Sequence, residues 1–187
     1  MNYYRHKLAV VDPGATIGEN TKIWHFSHLM GNAKVGKNCV IGQNCFVAGK
    51  VGDNCKLQNN VNVYQGVELG NGVFCGPSMT FTNDLHPRAN YPKNGNYVRT
   101  CVSDGASIGA NATIVCGIRI GKSAFIGAGS VVTKDISDYA LVYGNPAKVH
   151  GWVCECGEKL AARSKSLHCQ NCNRKYQKAG KQLRQIR

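Results

Sequence analysis

Apolar residues recur at every sixth position over most of this chain. They run Val11, Ile17, Ile23, Leu29, Val35, Ile41 and Val47, slip by four, and resume as Val51, Leu57, Val63, Leu69, Cys75 and Phe81. After a gap they return as Val102, Ile108, Ile114, Ile120, Ile126 and Val132. With 43% hydrophobic residues, a run of hits this long at fixed register arises by chance on the order of once in ten million. Period six is neither the 3.6 of a helix nor the 2 of a plain strand. It fits a short strand and a tight turn, repeated, with one large side chain inward per unit. Such a unit has no core until its neighbours stack on it.

Two further positions keep the same time. Glycine often follows the apolar residue, as at Gly18, Gly36, Gly52, Gly70 and Gly109, where backbones crowd. The fifth position is small or β-branched, as at Ala15, Thr21, Ala33, Val61 and Ala106. Cys39, Cys45 and Cys55 fall there and read as packed small hydrophobes. If "VAGK" at 47–50 is a clipped hexad, Val63, Phe81 and Ile114 stack on one face, and Gln65, Asn83 and Cys116 form an outward column beside them. Just past Asn83 the repeat is interrupted by residues 87–101, and a long insertion in a compact repeat marks function.

The length of 187 residues suits one domain and a small appendage: a repeat body at 1–150 and a tail at 151–187. The opening "MNYYRHKLAVVD" lacks a secretory apolar core and no apolar run is long enough to span a bilayer, so a cytoplasmic protein without a membrane partner is expected. The net charge is +13, of which the tail, with nine Lys and Arg against two acids, carries +7. That tail suits phosphates or simply a solvated surface. It also holds Cys154-x-Cys156 and Cys169-x-x-Cys172, a four-thiolate set for structural Zn2+, with one residue fewer in the first pair than a zinc ribbon has. His168 is a substitute ligand, and four free thiols are the bland alternative.

The repeat resembles the hexapeptide-repeat acyltransferases, all-β proteins whose fold is a left-handed parallel β-helix with three hexads per coil; the resemblance covers about residues 10–150. The stretches "IWHFSH" at 23–28, "QNNVNVYQGV" at 58–67, "CGPSMTFTND" at 75–84, "PR" at 87–88 and "GNPAK" at 144–148 are similar to the nucleotide-amino-sugar N-acetyltransferases. The nearest subgroup acetylates the 3-amino group of UDP-2-acetamido-3-amino sugar uronates in bacterial surface polysaccharide biosynthesis. About eighteen hexads would make about six coils, a prism about 29 Å tall at the strand spacing. The resemblance also implies acetyl-CoA as cosubstrate and a homotrimer with active sites between neighbours.

Carried over, Asn83 orients the sugar amine, and the leaving thiolate takes the proton without an obligatory base. His86 is the rival general base, and Asp84 either orients a neighbour or shapes a turn. Tyr64, Gln65, Arg88 and Arg99 are candidates for the nucleotide sugar, the arginines for a carboxylate or diphosphate. His25 and His28 should point outward beside Trp24 and Phe26, towards a subunit contact or a ligand. Gly117, Arg119, Ala128, Lys134 and Lys148 are candidates for coenzyme A. Two other classes compete. A γ-type carbonic anhydrase needs three histidines on a catalytic zinc, and the spacing of His25, His28 and His86 does not match. A nucleic-acid adaptor would use the basic tail, and is the disfavoured reading.

Overall fold

The computed structural model describes residues 2–161, 166–180 and 182–186. Each hexad is a two-residue strand followed by a turn, its first residue outward and its second inward, as in Lys22–Ile23, Lys34–Val35 and Thr113–Ile114. Three consecutive hexads close one coil, so each strand pairs in parallel with the one a coil later: Lys22 with Val40, His28 with Phe46, Lys34 with Lys50. Three flat faces result. The first runs from Tyr4–Arg5 to Ala140–Gly144, the second from Val10–Val11 to Val131–Val132, and the third from Thr16–Ile17 to Arg119–Ile120. Inward residues such as Ile23, Leu57, Phe81, Ile114 and Ile126 are fully buried in one continuous core. Among the described residues no helix is long and apolar enough to cross a membrane.

The coil is longer than the apolar clock suggests. Tyr4–Arg5 adds a strand below, pairing with Lys22–Ile23, and Ala140–Gly144 adds one above, pairing with Phe125–Ile126. The first is hidden because Arg5 holds the inward register position at an end of the prism, where it remains exposed.

The corners follow from local chemistry. Asn20, Asn38 and Asn54 turn the chain into the first face with φ of 60, 56 and 58°, a left-handed conformation that asparagine tolerates. The glycines after the apolar residue serve proximity instead: a side chain at Gly18 would run into the backbone of Gly36, and one at Gly52 into Gly70. The clipped hexad is real. Phe46–Val47 and Lys50–Val51 are joined by Ala48 and Gly49 alone, and a side chain at Gly49 would strike the carbonyls of Tyr64 and Val67.

The small interior positions do more than fill space. Thr21 Oγ1 donates to the carbonyl of Gly36 at 2.8 Å and accepts from the amide of Cys39 at 3.0 Å. Ser27 does the same with Gly42 and Cys45 at 2.6 and 3.0 Å. The thiols of Cys39, Cys45 and Cys55 continue the scheme, each 3.1 Å from the carbonyl of Gly52, Gln58 or Gly70 in the next coil.

After Ala140–Gly144 the chain reverses. Ala147–Val153 runs back antiparallel along that strand, and Lys159–Leu160 pairs antiparallel beyond it. The expected boundary at 150/151 falls inside this strand. A three-stranded antiparallel sheet follows: Ser166–His168, Lys175–Ala179 and Gln182–Ile186. Its buried Tyr176 meets Tyr139 of the last coil edge-on, ring centres 5.2 Å apart, and Glu155 pairs with Lys122 at 3.6 Å. Substituting Thr21→Val keeps the shape but strands a buried carbonyl and a buried amide; chemical denaturation should show a loss of about 1–3 kcal/mol.

Candidate functional site

The stacking Val63, Phe81, Ile114 has the expected register, since Asn62 pairs with Thr80, and Thr80 with Thr113. Asn83 therefore stands above Gln65 at the corner between the second and third faces, and its Nδ2 donates to the Gln65 carbonyl at 3.4 Å. Cys116 departs from the expected outward column. It is 3% exposed, and its amide donates to Thr82 Oγ1. The returning insertion packs beside it, with the Val98 side chain over Gly117.

The insertion leaves the prism and comes back to the residue it left. Val98 donates its amide to the Asn83 carbonyl at 2.9 Å, and Thr100 donates to Gly66 before the coil resumes. Asp84 Oδ1 accepts the amide of His86 at 2.9 Å and lies 3.7 Å from Lys93 Nζ, so it holds the turn at the loop's root. His86 and Arg88 are exposed. Asn83, Asp84, Arg88, Tyr91, Lys93 and Tyr97 line an open cavity of about 600 Å³. Arg99 is engaged elsewhere. Its Nη2 lies 2.6 Å from Glu68, which also binds Lys50 at 2.8 Å, and these two cations hold the Glu68 carboxyl below its usual range, Lys50 first.

The "IWHFSH" residues lie at the opposite end of the coil. Trp24 and Phe26 are exposed, as expected, and His25 and His28 are half-buried. Phe26 adopts φ 63° where later coils carry Asn44 and Asn60 at the same corner, a strained conformation for an exposed aromatic. The His25 ring is tilted against His6, ring centres 4.6 Å apart, and among the described residues its buried Nδ1 has no partner. His28 Nε2 lies 3.0 Å from Asp12 Oδ1, a pairing not visible in the sequence because the residues come from different coils. From His28 an aromatic ladder climbs the second face through Phe46 to Tyr64, with ring centres 5.9 and 5.7 Å apart.

The residues proposed for coenzyme A fall into two groups. Gly117, Arg119 and Lys134 share the edge that carries Asn83, although the Gly117 amide already donates to Thr100 Oγ1 at 3.2 Å. Ala128 lies at a different corner, between the first and second faces, and Lys148 sits opposite Tyr143 on the reversing hairpin. Tyr143 stacks on His150 with centres 3.6 Å apart.

Cys154, Cys156, Cys169 and Cys172 converge, with all four sulfurs within 4.8 Å of one another. The pairs Cys154–Cys172 and Cys156–Cys169 are 3.3 and 3.5 Å apart. Thiolates about 2.3 Å from a tetrahedral zinc sit about 3.8 Å from each other, so the set fits such an ion with little adjustment. The Arg174 amide holds the Cys172 thiol down to about 6, which favours a thiolate, and Tyr176 Oη lies 3.1 Å from Cys154 Sγ. His168 is exposed and outside the cluster. Among the described residues this is the sole cluster of possible metal ligands, and His25, His28 and His86 are not brought together within one chain. Of the tail's cations, Arg163, Lys165, Lys181 and Arg187 lie outside the described residues.

Residues 14–49 match the family "Bacterial transferase hexapeptide (six repeats)" and residues 102–134 the "Hexapeptide repeat of succinyl-transferase". The chain is 44% identical over 175 residues to the dTDP-3-amino-3,6-dideoxy-alpha-D-galactopyranose 3-N-acetyltransferase of Aneurinibacillus thermoaerophilus, covering 93% of this chain and 90% of that one. Among solved structures, a UDP-N-acetylglucosamine acyltransferase from Bacteroides fragilis superposes with TM-score 0.67 at 22% identity, over 81% of this chain and 61% of the other. A mutant N-acyltransferase from Bacillus cereus, in complex with dTDP and coenzyme A, gives 0.56 at 18% identity over 78% of each.

Proposed function

Because this chain belongs to the hexapeptide-repeat acyltransferases, with the left-handed β-helix of that family, we propose that it moves the acetyl group of acetyl-CoA onto the 3-amino group of a nucleotide-linked amino sugar. The carrying observation is the cavity at the root of the insertion, with Asn83 on a rigid corner, in a chain 44% identical over nearly its whole length to a nucleotide-amino-sugar 3-N-acetyltransferase. The product would serve bacterial surface polysaccharide.

The chemistry asks for positioning more than for strong acid or base. The neutral amine attacks the thioester carbonyl, the tetrahedral oxyanion collapses, and the carbon–sulfur bond breaks. The departing thiolate is basic enough to take the ammonium proton. Asn83 presents its amide at the corner, braced by Gln65 and by the returning loop, and is the residue we assign to orient the amine. Asp84 is occupied with the turn and Lys93, which favours a shaping role. His86 stays at the loop surface and is not required as a base.

Two sugars compete. A dTDP-linked 3-amino-3,6-dideoxyhexose follows the relative's specificity and suits the engagement of Arg99 by Glu68. A UDP-linked 2-acetamido-3-amino uronate is favoured by Arg88 on the cavity wall, which would meet a carboxylate.

A trimer is favoured by the second face, whose outward residues Phe46, Asn62, Thr80, Thr113 and Val131 are uncharged, while Lys22 and Lys56 stud the first face and Lys34, Lys50 and Arg119 the third. Interface centres are depleted in charge. Side-by-side prisms would also let the two groups of coenzyme A candidates, which one chain holds on separate corners, meet one cofactor from two chains. In the tail the four cysteines would hold a closed structural Zn2+ and supply no chemistry to the reaction.

Mass spectrometry after incubation with acetyl-CoA and a panel of UDP- and dTDP-linked amino sugars should show one added acetyl on a 3-amino sugar, dTDP-linked first; a panel left unmodified refutes the activity. Asn83→Ala should lower turnover roughly 100-fold, about 2.7 kcal/mol of transition-state stabilisation, with thermal stability nearly unchanged. His86→Ala should stay within about tenfold, and the reverse ranking would establish a histidine base. Purified protein should sediment as three chains carrying one zinc each, and Cys169→Ser should release the metal while the coil remains folded.

A further inference from the structure

A cavity of about 360 Å³ lies where the last coil meets the C-terminal hairpin. Arg119, Asp135, Ser137 and Asp138 line it from the coil, and Gln182 and Arg184 from the hairpin. Arg99 and Arg174 have ion-pair partners, whereas among the described residues Arg119 and Arg184 have none. Each of the two aspartates keeps its charge but has one oxygen turned to a backbone amide. Oδ1 of Asp135 accepts the Arg119 amide and Oδ1 of Asp138 the Lys122 amide, each at 2.8 Å. Lys134, beside Asp135 in sequence, adds a third cation at this edge.

The location matters as much as the charge. Phe81, Ile114 and Val132 are stacked, so Asn83, Cys116 and Lys134, each two residues further on, climb one corner. Two strand spacings, about 10 Å, separate Asn83 from Lys134, and the cavity opens just beyond. The pantetheine arm of coenzyme A is about as long as four extended residues, roughly 14 Å. A thioester held at Asn83 with its arm along this corner delivers its phosphates to the cavity. Guanidinium groups are suited to that end, since each offers a planar fork of donors to phosphate oxygens.

We infer that the cavity between Arg119 and Arg184 seats the phosphate-bearing nucleotide end of the acyl donor, so that the cysteine-clamped tail is a wall of the donor site. This rests on the acyl-CoA reading of the Asn83 corner. Arg184 is held in place through the sheet: it pairs with Gln177 on the strand Lys175–Ala179, which leads directly out of the loop carrying Cys169 and Cys172. The cysteine cluster would thereby set the position of a donor-binding side chain without touching the donor.

Calorimetry with adenosine 3′,5′-bisphosphate and kinetics with two donors test this. Arg184→Ala, an exposed position whose loss should leave zinc content unchanged, should weaken bisphosphate binding and raise the KM for acetyl-CoA by about tenfold or more, the effect of losing a charge-assisted phosphate contact. The kcat should hold, and turnover of S-acetylpantetheine, which lacks the nucleotide, should not change. Arg184→Lys should recover part of the loss. Unchanged bisphosphate affinity and KM in Arg184→Ala would overturn the assignment, as would an equal loss with S-acetylpantetheine. The bisphosphate titration needs no acceptor, so it decides the cavity even if no amino sugar is acetylated; an active enzyme indifferent to Arg184 removes the cavity and leaves the activity standing.

Discussion

Every part of this molecule depends on the pairing of each two-residue strand with its counterpart one coil away. A single coil buries almost nothing, because its few inward side chains have one another on one level only. Stacked, Leu29, Val47, Val63, Phe81, Ile114 and Val132 become a continuous apolar column. The backbone bonds that hold the levels together are the bonds that give each strand its existence, so core and ladder form together or not at all. Thr21, Ser27 and the interior cysteines carry the same tie through their side chains at the corners.

The construction leaves little freedom for chemistry on the flat faces, where side chains appear at fixed intervals and backbone groups are spoken for. Chemistry is left to corners and interruptions. The insertion after Asn83 uses both: it leaves at Asn83 and returns to it, through the Val98 amide on the Asn83 carbonyl, so the excursion is tied to a corner of the coil. The reversal after Gly144 adds a second excursion, and the tail sheet packs Tyr176 against Tyr139 to fix it.

Periodicity exposed the coil because one buried position per six residues is a physical requirement of the fold, and even the clipped corner at Ala48–Gly49 kept its register. The end strands escaped notice, since Arg5 puts a cation at the inward register position and the Ala140–Gly144 strand comes early in the count. The loop root and the four cysteines were legible from spacing. Contacts between coils were not: Asp12 with His28, Arg99 with Glu68 and the burial of Cys116 join residues from different coils or beneath the returning loop, separations at which a single sequence carries no pairing signal. Arg184 escaped for the same reason, because only the folding back of the tail brings it to Arg119.

A parallel coil with two bare ends is a template for its own polymerisation, because each terminal strand offers unpaired amides and carbonyls in the register of the next level. Here the upper end of the first face is covered by the chain itself: Ala147–Val153 and Lys159–Leu160 run antiparallel beyond Ala140–Gly144, so on that face the parallel ladder does not continue. Among the described residues the lowest strand is Tyr4–Arg5, with a cation at the register position that Ile23 holds one coil above. The reversal that begins the tail thus also ends the parallel ladder of the first face.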